Sequence, residues 1–397
     1  MKKILLLGGS AQQAVAIETA KRLGYFTILC DFLIDNPGRV VADKFYLVST
    51  TDREEVLKIA QNEKIDGVLA YASDPAAPTA AYVAEKMKLH TNPYKSVEIL
   101  CNKDRFRLFL EQNGFNAPMS KGFGSSETAL SVLKEFDFPV IIKPVDSSGS
   151  KGVSVLFSAE NAVDAINKAF SFSRTKRIII EKYIEKKHDY LIGGDIFVKD
   201  GQVCLWGLLN CHRDNRVNPL VPVGKSYPIC VSENVEKLIK NVLQLLIEKL
   251  EIKFGALNVE LVIDKEDRVW LIDVGPRNGG NMIPDLLGYI FSVNIVEMSI
   301  KAVMGEEFNC VIDTITPYYA THNLHSDRNG KFNSIIFSNE LEQYIKRKCI
   351  YKKYGDSIEY FDNASKALGI IFMQFDCIEE MFTILKHINQ HIEVVLD

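Results

Sequence analysis

The chain has 397 residues, of which 47% are hydrophobic and 25% are charged. This composition is typical of a globular protein with two to four compact units, and it excludes an intrinsically disordered chain. The formal net charge of -4 arises from 47 basic and 51 acidic residues, so no global field favours nucleic acid or an anionic membrane as a partner.

The first apolar run covers residues 4–7 and stops at Gly8-Gly9. It is too short for the apolar core of a signal peptide and instead predicts a buried strand. No apolar run approaches the roughly 18 residues that span a bilayer. The 8 cysteines are scattered without a CxxC pair, which argues against a zinc site and against a disulfide framework. We therefore expect a cytoplasmic protein.

The first hundred residues alternate short apolar segments with helical periodicity. We predict strands at 3–7, 27–31 and 66–70, and helices at 11–23, 52–62 and 76–87, the second helix with Thr51 or Asp52 as N-cap. The strands are apolar throughout, which indicates burial on both faces. Strands of this kind between helices predict a parallel sheet.

The pattern changes after an amphipathic helix at 103–113. Strands of antiparallel or mixed sheets are predicted at 140–144, 152–156, 177–181, 190–198, 203–210, 256–263 and 268–274, with helices at 160–170 and 233–250. From about residue 310 the pattern predicts mixed strands and a helix at 377–389. No repeat or low-complexity linker separates these regions, so we expect the domains to pack together.

The strand at 140–144 presents Lys143 and leads into a loop of small residues from Ser147 to Gly152. Such loops expose backbone N–H groups that can wrap phosphate oxygens, and a nearby lysine supplies a point charge for the same anion. A plain hairpin turn is the alternative, and a Gly-Ser loop alone would favour it. Lys143 shifts the interpretation to phosphate binding, although the GxxxxGK[ST] order of a Walker loop is absent.

Two predicted strands, joined by a polar turn, each carry an acid between apolar neighbours. On adjacent antiparallel strands Glu260 and Asp273 could lie side by side, where two recessed charges repel unless a cation separates them. Mg²⁺ bound to both carboxylates and to substrate phosphates would remove the repulsion. Arg277, four residues after Asp273, can stabilise an anionic intermediate. The alternative is an ordinary hairpin in which the acids pair with lysines.

A third segment, at 178–184, is an apolar strand that ends in a charged connector and is followed by Asp189. The backbone of such a connector can pair with an adenine edge, and a carboxylate can accept hydrogen bonds from ribose hydroxyls. A strand that leads into a charged loop explains the same pattern equally well.

The order of a lysine helix, a lysine strand with its glycine loop, a connector, and paired acids with an arginine resembles the ATP-grasp superfamily. The resemblance is to ligases related to carbamoyl-phosphate synthase, biotin carboxylase and the amino-acid ligases, and it covers residues 1 to about 305. It implies a fold that is α/β and α+β. Its expected parts are an N-terminal parallel α/β domain (1–100), an ATP-grasp lid subdomain with its lead-in helix (101–185), a large antiparallel-sheet subdomain (186–308) and a C-terminal α+β subdomain (309–397).

The same resemblance implies roles for individual residues. The implied ATP-binding residues are Lys103, Lys143, Ser147, Ser148, Gly149, Gly152, Glu181, Tyr183, Ile184 and Asp189. Glu260 and Asp273 match the two acids that hold Mg²⁺, which Mn²⁺ could replace. Arg277 and Lys143 match the groups that supply positive charge during catalysis.

Two residues depart from the family's Glu-x-Asn-x-Arg signature. Asp273 stands where glutamate is usual, and Gly275 stands where asparagine is usual. One expected metal ligand is therefore missing, and Asn278, Asn281 or water could replace it.

Four residues are expected to contact substrate: Asp74, His212, Arg277 and Asn278. Asp74 follows a parallel strand, where α/β folds present ligands, although we favour a role as a helix N-cap. His212 follows a strand of the large sheet, where an acceptor pocket would lie. A lone histidine is nevertheless more often a hydrogen-bonded or surface residue.

The sequence thus predicts an ATP-dependent ligase that converts a carboxylate to an acyl phosphate and passes the acyl group to an amine, releasing ADP and phosphate. Its expected partners are a small-molecule carboxylate and amine, and aromatic surfaces in the last hundred residues could form a homodimer. One alternative is a carboxylase or carbamoyl-phosphate-type enzyme that activates bicarbonate. The other, motivated by Gly275, is a catalytically weak nucleotide-binding module.

Overall fold

The computed structural model describes residues 1–310, 312 and 318–397. Its first hundred residues form a parallel sheet of strand order β3-β2-β1-β4. The elements are β1 (Lys3–Leu7), α1 (Ala14–Arg22), β2 (Phe26–Asp31), α2 (Gly38–Val41), β3 (Lys44–Leu47), α3 (Arg53–Glu63), β4 (Gly67–Leu69), α4 (Ala77–Met87) and α5 (Tyr94–Leu100).

The central strand β1 shows why this sheet is parallel and covered on both sides. Leu5 and Leu7 are buried in one hydrophobic cluster, whereas Ile4 and Leu6 are buried in another on the opposite face. Helices therefore pack on both faces, as the continuous apolar run predicted. The predicted N-cap is also confirmed, since the Asp52 side chain accepts a hydrogen bond from a backbone N–H in the first turn of α3.

A four-stranded antiparallel sheet of order β5-β8-β6-β7 follows. Its elements and its lead-in helix are α6 (Lys103–Gln112), β5 (Ser120–Phe123), α7 (Ser126–Leu133), β6 (Val140–Pro144), β7 (Ser154–Leu156), α8 (Ala162–Phe172) and β8 (Ile178–Lys182). Helices α7 and α8 cover one face through Val140, Ile142, Ile178 and Ile180. Alternate residues of the same strands lie on the other face.

The largest sheet has eight strands in the order β13-β12-β9-β10-β11-β14-β18-β16, all paired antiparallel. The elements up to residue 310 are β9 (Leu191–Lys199), β10 (Gln202–Arg213), β11 (Pro222–Tyr227), α9 (Glu233–Lys249), β12 (Gly255–Ile263), β13 (Val269–Gly275), α10 (Ile283–Phe291) and α11 (Ile295–Val303). Helix α9 packs on one face, and α10 and α11 pack on the other.

The last segment contains β14 (Tyr318–Leu324), β15 (Gly330–Phe337), α12 (Asn339–Glu342), β16 (Ile345–Ile350), β17 (Ser357–Ile358), β18 (Gly369–Phe375), α13 (Ile378–Lys386) and β19 (Ile392–Leu396). Strands β14, β16 and β18 extend the eight-stranded sheet, and β17-β15-β19 form a small sheet. The large sheet therefore continues across the predicted boundary at 308/309.

A disulfide joins Cys204 to Cys310, which are separated by 106 residues. The sequence argued against a disulfide framework, and it did not indicate this single disulfide, because a pairing so distant in sequence leaves no local spacing pattern. Within the described ranges, no single helix is long and apolar enough to cross a membrane. Helices α10 and α11 meet the length and composition requirement only together, across a bend of 110°.

Candidate active site

The paired acids lie where the sequence predicted them. Glu260 on β12 is directly opposite Asp273 on β13 in the antiparallel register. Each carboxylate already has a cation beside it, since an Arg213 terminal nitrogen lies 2.7 Å from Glu260 Oε1 and Lys103 Nζ lies 3.1 Å from Asp273 Oδ2. The acids are thus neighbours, and basic residues neutralise them in this structure.

Lys103 is the first residue of α6 and connects the small sheet to the large one. Its ammonium donates to the Ser147 carbonyl at 3.1 Å as well as to Asp273. Burial lowers the pKa of Lys103, but the charge and the hydrogen bond of Asp273, together with the charge of Asp74, outweigh burial and leave the pKa raised. Lys103, the first predicted phosphate lysine, therefore contacts both the predicted phosphate loop and one predicted metal ligand.

Lys143 lies on the face of the small sheet opposite to α7 and α8. Its Nζ atom is 2.7 Å from Glu181 Oε2, and both side chains are almost fully buried. Burial lowers the pKa of Lys143, and the charge of Glu181 only partly offsets this effect. Burial raises the pKa of Asp273, but the charges of Lys103, Lys143 and Arg107 and the hydrogen bond from Lys103 together leave it lowered. Both lysines therefore lie close enough to Asp273 for their charges to act on its carboxylate.

Sequence reasoning missed Arg107, which is 2% exposed and the largest fully buried side chain. Its terminal nitrogens donate to the Leu271 and Ile272 carbonyls at 3.2 and 2.7 Å. Its Nε atom lies 2.9 Å from Glu181 Oε1, a close ion pair whose N–H is not aligned for a hydrogen bond. Its position one helical turn after Lys103 was the available signal, because i and i+4 share a helix face.

Glu181 was predicted as part of an adenine-binding connector, and its carboxylate is committed to two cations instead. Burial raises its pKa, but Arg107 and Lys143 outweigh burial and leave the pKa lowered. Tyr183 and Ile184, further along the connector, line a cavity of about 400 Å³ together with Pro118, Met119 and Trp270. The phosphate lysines and the paired acids do not line this cavity, and the assignment of Tyr183 and Ile184 to adenine stays a prediction. Asp189 is exposed.

The predicted phosphate loop closes against the large sheet. The Ser147 hydroxyl donates to the Lys151 carbonyl at 2.9 Å, and the Ser150 hydroxyl donates to the Leu220 carbonyl at 2.8 Å. Gly149 and Gly152 have positive φ values of 68° and 75°, which favour glycine over other residues. Ser148, which lies between Ser147 and Gly149 in the sequence, is half-buried.

Asp74 forms a two-point ion pair with Arg277. Oδ1 lies 2.7 Å from Nε and Oδ2 lies 2.5 Å from a terminal nitrogen. The N-cap prediction for Asp74 was wrong, because α4 is preceded by Ala76 and no side chain caps it. Burial lowers the pKa of Arg277, but the charge and the hydrogen bonds of Asp74, together with the charges of Asp195 and Asp273, outweigh burial and leave the pKa raised.

The two asparagines proposed to replace the missing metal ligand have other contacts. Asn278 is 1% exposed, and its Oδ1 accepts from the Ser299 hydroxyl at 3.0 Å. Its Nδ2 has no partner among the described residues, and Asn278 lines a cavity of about 80 Å³ between α4, β4 and β12. The backbone N–H of Asn281 donates to Gln12 Oε1 at 3.0 Å. The structure therefore gives neither asparagine a contact with the paired acids.

His212 was predicted to contact substrate, but its imidazole serves the packing of the sheet. Nε2 is 2.8 Å from the Ser226 hydroxyl, and the ring packs on Tyr190 at a centroid distance of 4.6 Å. The next residue, Arg213, is the one that reaches Glu260. Burial, together with the charges of Lys225 and Arg213, lowers the pKa of His212 to about 3.

This lowered pKa predicts a loss of stability in acid. The folded state keeps His212 neutral down to a pKa of about 3, whereas the unfolded chain takes up the proton near pH 6.5, so the stabilisation is present above 6.5 and declines below it. Between pH 7 and pH 4 we expect the wild type to lose roughly 3 kcal/mol more unfolding free energy than His212→Asn. Urea unfolding at both pH values measures this, with His387→Asn, an exposed histidine, as the control. Equal pH dependence in all three chains would contradict the assignment.

A second cation, Lys225 on β11, lies close to the residue of β9 that is opposite Glu260. Lys225 Nζ is 2.6 Å from Cys211 Sγ. It also lies over Gly193, the residue of β9 that is opposite Glu260, and a Cβ on that glycine would be 3.2 Å from Nζ. Arg213 on β10 and Lys225 on β11 thus add two positive charges to this part of the large sheet.

The donor set fits a magnesium ion. Within residues 1–310, 312 and 318–397, no three His, Cys, Asp or Glu side chains gather into a metal-binding group. Mg²⁺ needs no such group, because it is usually held by one or two carboxylates and completes its shell with water and phosphate oxygens. Glu260 and Asp273 supply those two carboxylates.

Two antiparallel sheets that present lysines, a glycine loop, paired acids and an arginine towards one cleft define an ATP-grasp protein. The family described as "Carbamoyl-phosphate synthase L chain, ATP binding domain" matches residues 102–309, slightly more than half of the chain. The chain belongs to this family.

Similar proteins agree with the family and the fold. A carbamoyl phosphate synthase large chain from Clostridium botulinum is 27% identical over 307 residues, which are 74% of this chain and 27% of that protein. The chain thus spans about a quarter of the length of such relatives.

Two solved structures have the same fold. An L-amino acid ligase from Bacillus licheniformis superposes with a TM-score of 0.83 at 20% identity, covering 100% of this chain and 99% of that one. The biotin carboxylase domain of a Hydrogenobacter thermophilus 2-oxoglutarate carboxylase, in complex with MgADP, ADP and bicarbonate, gives 0.73 at 16% identity and covers 100% and 91%. The predicted ATP-grasp fold is therefore confirmed.

Proposed function

We propose that the chain is a Mg-ATP-dependent ligase that joins a carboxylate to an amine through an acyl phosphate. The observation that carries this proposal is the position of Lys103. Its single ammonium contacts both the Ser147 carbonyl of the glycine loop and Asp273, which is opposite Glu260. A triphosphate bound there would have positive charge, loop N–H groups and metal-binding carboxylates within reach.

The chain's own groups suit phosphoryl transfer, which depends on positioning and charge neutralisation. Lys103 and Lys143 would neutralise the phosphate oxygens, and the loop at 147–152 would exclude water from the intermediate. Bound Mg²⁺, held by Glu260 and Asp273, would neutralise charge that develops on the phosphates. The carboxylate oxygen attacks the γ-phosphorus and ADP leaves. The amine nitrogen then attacks the acyl carbon, phosphate leaves, and the amine loses a proton.

The end of the cleft near Glu260 supports an anionic substrate. Arg213 and Lys225 lie there, and Arg213 is already within 2.7 Å of a carboxylate. A substrate carboxylate could exchange with these contacts once Glu260 binds the metal. The similarity to an L-amino acid ligase supports an amino acid or a related small acid.

A second candidate is activation of bicarbonate. The carbamoyl-phosphate synthase relatives and the biotin carboxylase domain that holds bicarbonate favour it. Bicarbonate would be phosphorylated in the same way, and ammonia or another amine would then attack carboxyphosphate.

An ADP-release screen tests the proposal. The purified chain, given Mg-ATP, pairs of amino acids or small carboxylates, and bicarbonate with ammonia as a separate arm, should release ADP only with a matching acid. Removing Mg²⁺ with EDTA should abolish release, because the paired carboxylates would hold the phosphates only through the metal. Tight Mg-ATP binding with no ADP from any mixture would instead support a nucleotide-binding module.

A further inference from the structure

The surroundings of Gly275 leave no room for a side chain at this position. A Cβ built on it would lie 2.4 Å from Asp74 Oδ1 and 3.2 Å from the Arg277 Cζ atom. Real Cβ atoms do not approach oxygen to 2.4 Å, since van der Waals contact begins well beyond that distance. No side chain can therefore occupy position 275 while the Asp74 carboxylate is in place.

Asp74 comes from a different part of the chain. It lies in the segment between β4 and α4 of the N-terminal domain, 203 residues before Arg277. Both of its carboxylate oxygens are engaged by Arg277, whose side chain is 12% exposed against 22% for Asp74. A pair so enclosed fixes the guanidinium plane, because a two-point contact defines orientation as well as distance.

Two N–H groups of the Arg277 guanidinium have no acceptor among the described contacts. Asp74 takes the Nε–H and one N–H of a terminal nitrogen, and the Asn278 carbonyl takes one N–H of the other terminal nitrogen. A guanidinium has five N–H groups. Among the described contacts, each terminal nitrogen therefore keeps one N–H, and such a pair of N–H groups can bind an anion.

We propose that Asp74 is a positioning residue of the ligase site, admitted by Gly275, that holds Arg277 with its two remaining N–H groups turned to the anionic substrate. This inference rests on the proposed function. It also explains the missing asparagine: the space that a side chain at 275 would need is filled by a carboxylate from the N-terminal domain. The site is then complete only when the N-terminal domain packs against the rest of the chain and brings Asp74 to Arg277.

A double-mutant cycle tests the contact. Asp74→Ala should lower kcat/KM for the acid substrate by on the order of a hundredfold, the cost of a misplaced group, and leave KM for Mg-ATP within about twofold. Gly275→Ala should have a similar effect, because its methyl group displaces the carboxylate. The double variant should be no worse than Asp74→Ala, since the methyl group then has room. Gly280→Ala is the matched control, because its Cβ would meet only Gln12 Oε1, at 3.4 Å.

Additive losses in the double variant would overturn the proposal, as would a change in the KM of Mg-ATP as large as that of the acid. A crystal structure of Asp74→Ala separates this inference from the proposed function. The Arg277 guanidinium should leave its present position, and an unmoved guanidinium overturns the inference even if the wild type proves to be an active ligase. A wild type that releases no ADP from any acid overturns the proposed function, whatever that structure shows.

Discussion

Lys143→Met is expected to reduce ADP release by on the order of a hundredfold or more, the effect of removing a preorganised charge from a reacting centre. Lys143 lies on the face of the small sheet opposite to α7 and α8. Its side chain is buried, and its Nζ atom is 2.7 Å from Glu181 Oε2. Methionine keeps the length of the side chain but removes the ammonium that would contact the phosphates. Initial rates of ADP release at saturating Mg-ATP, together with nucleotide binding measured by calorimetry, check the prediction.

The matched control is Lys121→Met on β5 of the same sheet. Lys121 is exposed and pairs with Glu135 at the surface, so its loss should leave the rate unchanged. Lys143→Arg, which keeps the charge with a different shape, should retain part of the activity if charge is what matters. Urea unfolding of each variant separates lost catalysis from lost folding. A folded Lys143→Met variant with the wild-type rate would remove this lysine from the mechanism.

Most elements of the fold were predictable because their burial produces a simple pattern. Strand β1 is apolar throughout and α9 has a clear buried face, so length and period were enough to identify them. Strand β3 was missed because no residue in it is fully buried. Helix α10 was also missed, although its buried residues Ile283, Leu286, Leu287 and Ile290 recur at helical spacing.

The candidate site divides in the same way between local and distant information. Glu260 and Asp273 were predictable as neighbours because a short turn joins their two strands and sets the register. The Asp74–Arg277 pair spans 203 residues. Sequence spacing determines which residues share an element, but tertiary packing determines which elements meet. The helix N-cap was therefore the better local explanation of Asp74, and only the packed structure shows its partner.

Arg107→Met is expected to lower the free energy of unfolding by about 3–5 kcal/mol, the range found when one partner of a buried ion pair is removed. The change leaves Glu181 with Lys143 as its one remaining cationic partner among the described contacts. It also leaves the buried Leu271 carbonyl and the partly buried Ile272 carbonyl without the donors that Arg107 supplies. Urea unfolding followed by fluorescence of the tryptophans measures the loss.

The control for this prediction lies two residues earlier on the same helix. Arg105 is half-exposed and pairs with Glu98 at the surface, so Arg105→Met should cost less than about 1 kcal/mol. Adding Glu181→Gln to Arg107→Met leaves the buried Lys143 ammonium without its carboxylate partner and should deepen the loss, because Glu181 is then no longer there to compensate that charge. If Arg107→Met cost no more than Arg105→Met, the arginine would not be holding α6, β8 and β13 together. The position of Lys103 at the start of α6 would then need another explanation, since no other described side chain of α6 both reaches Glu181 and donates to the β13 backbone.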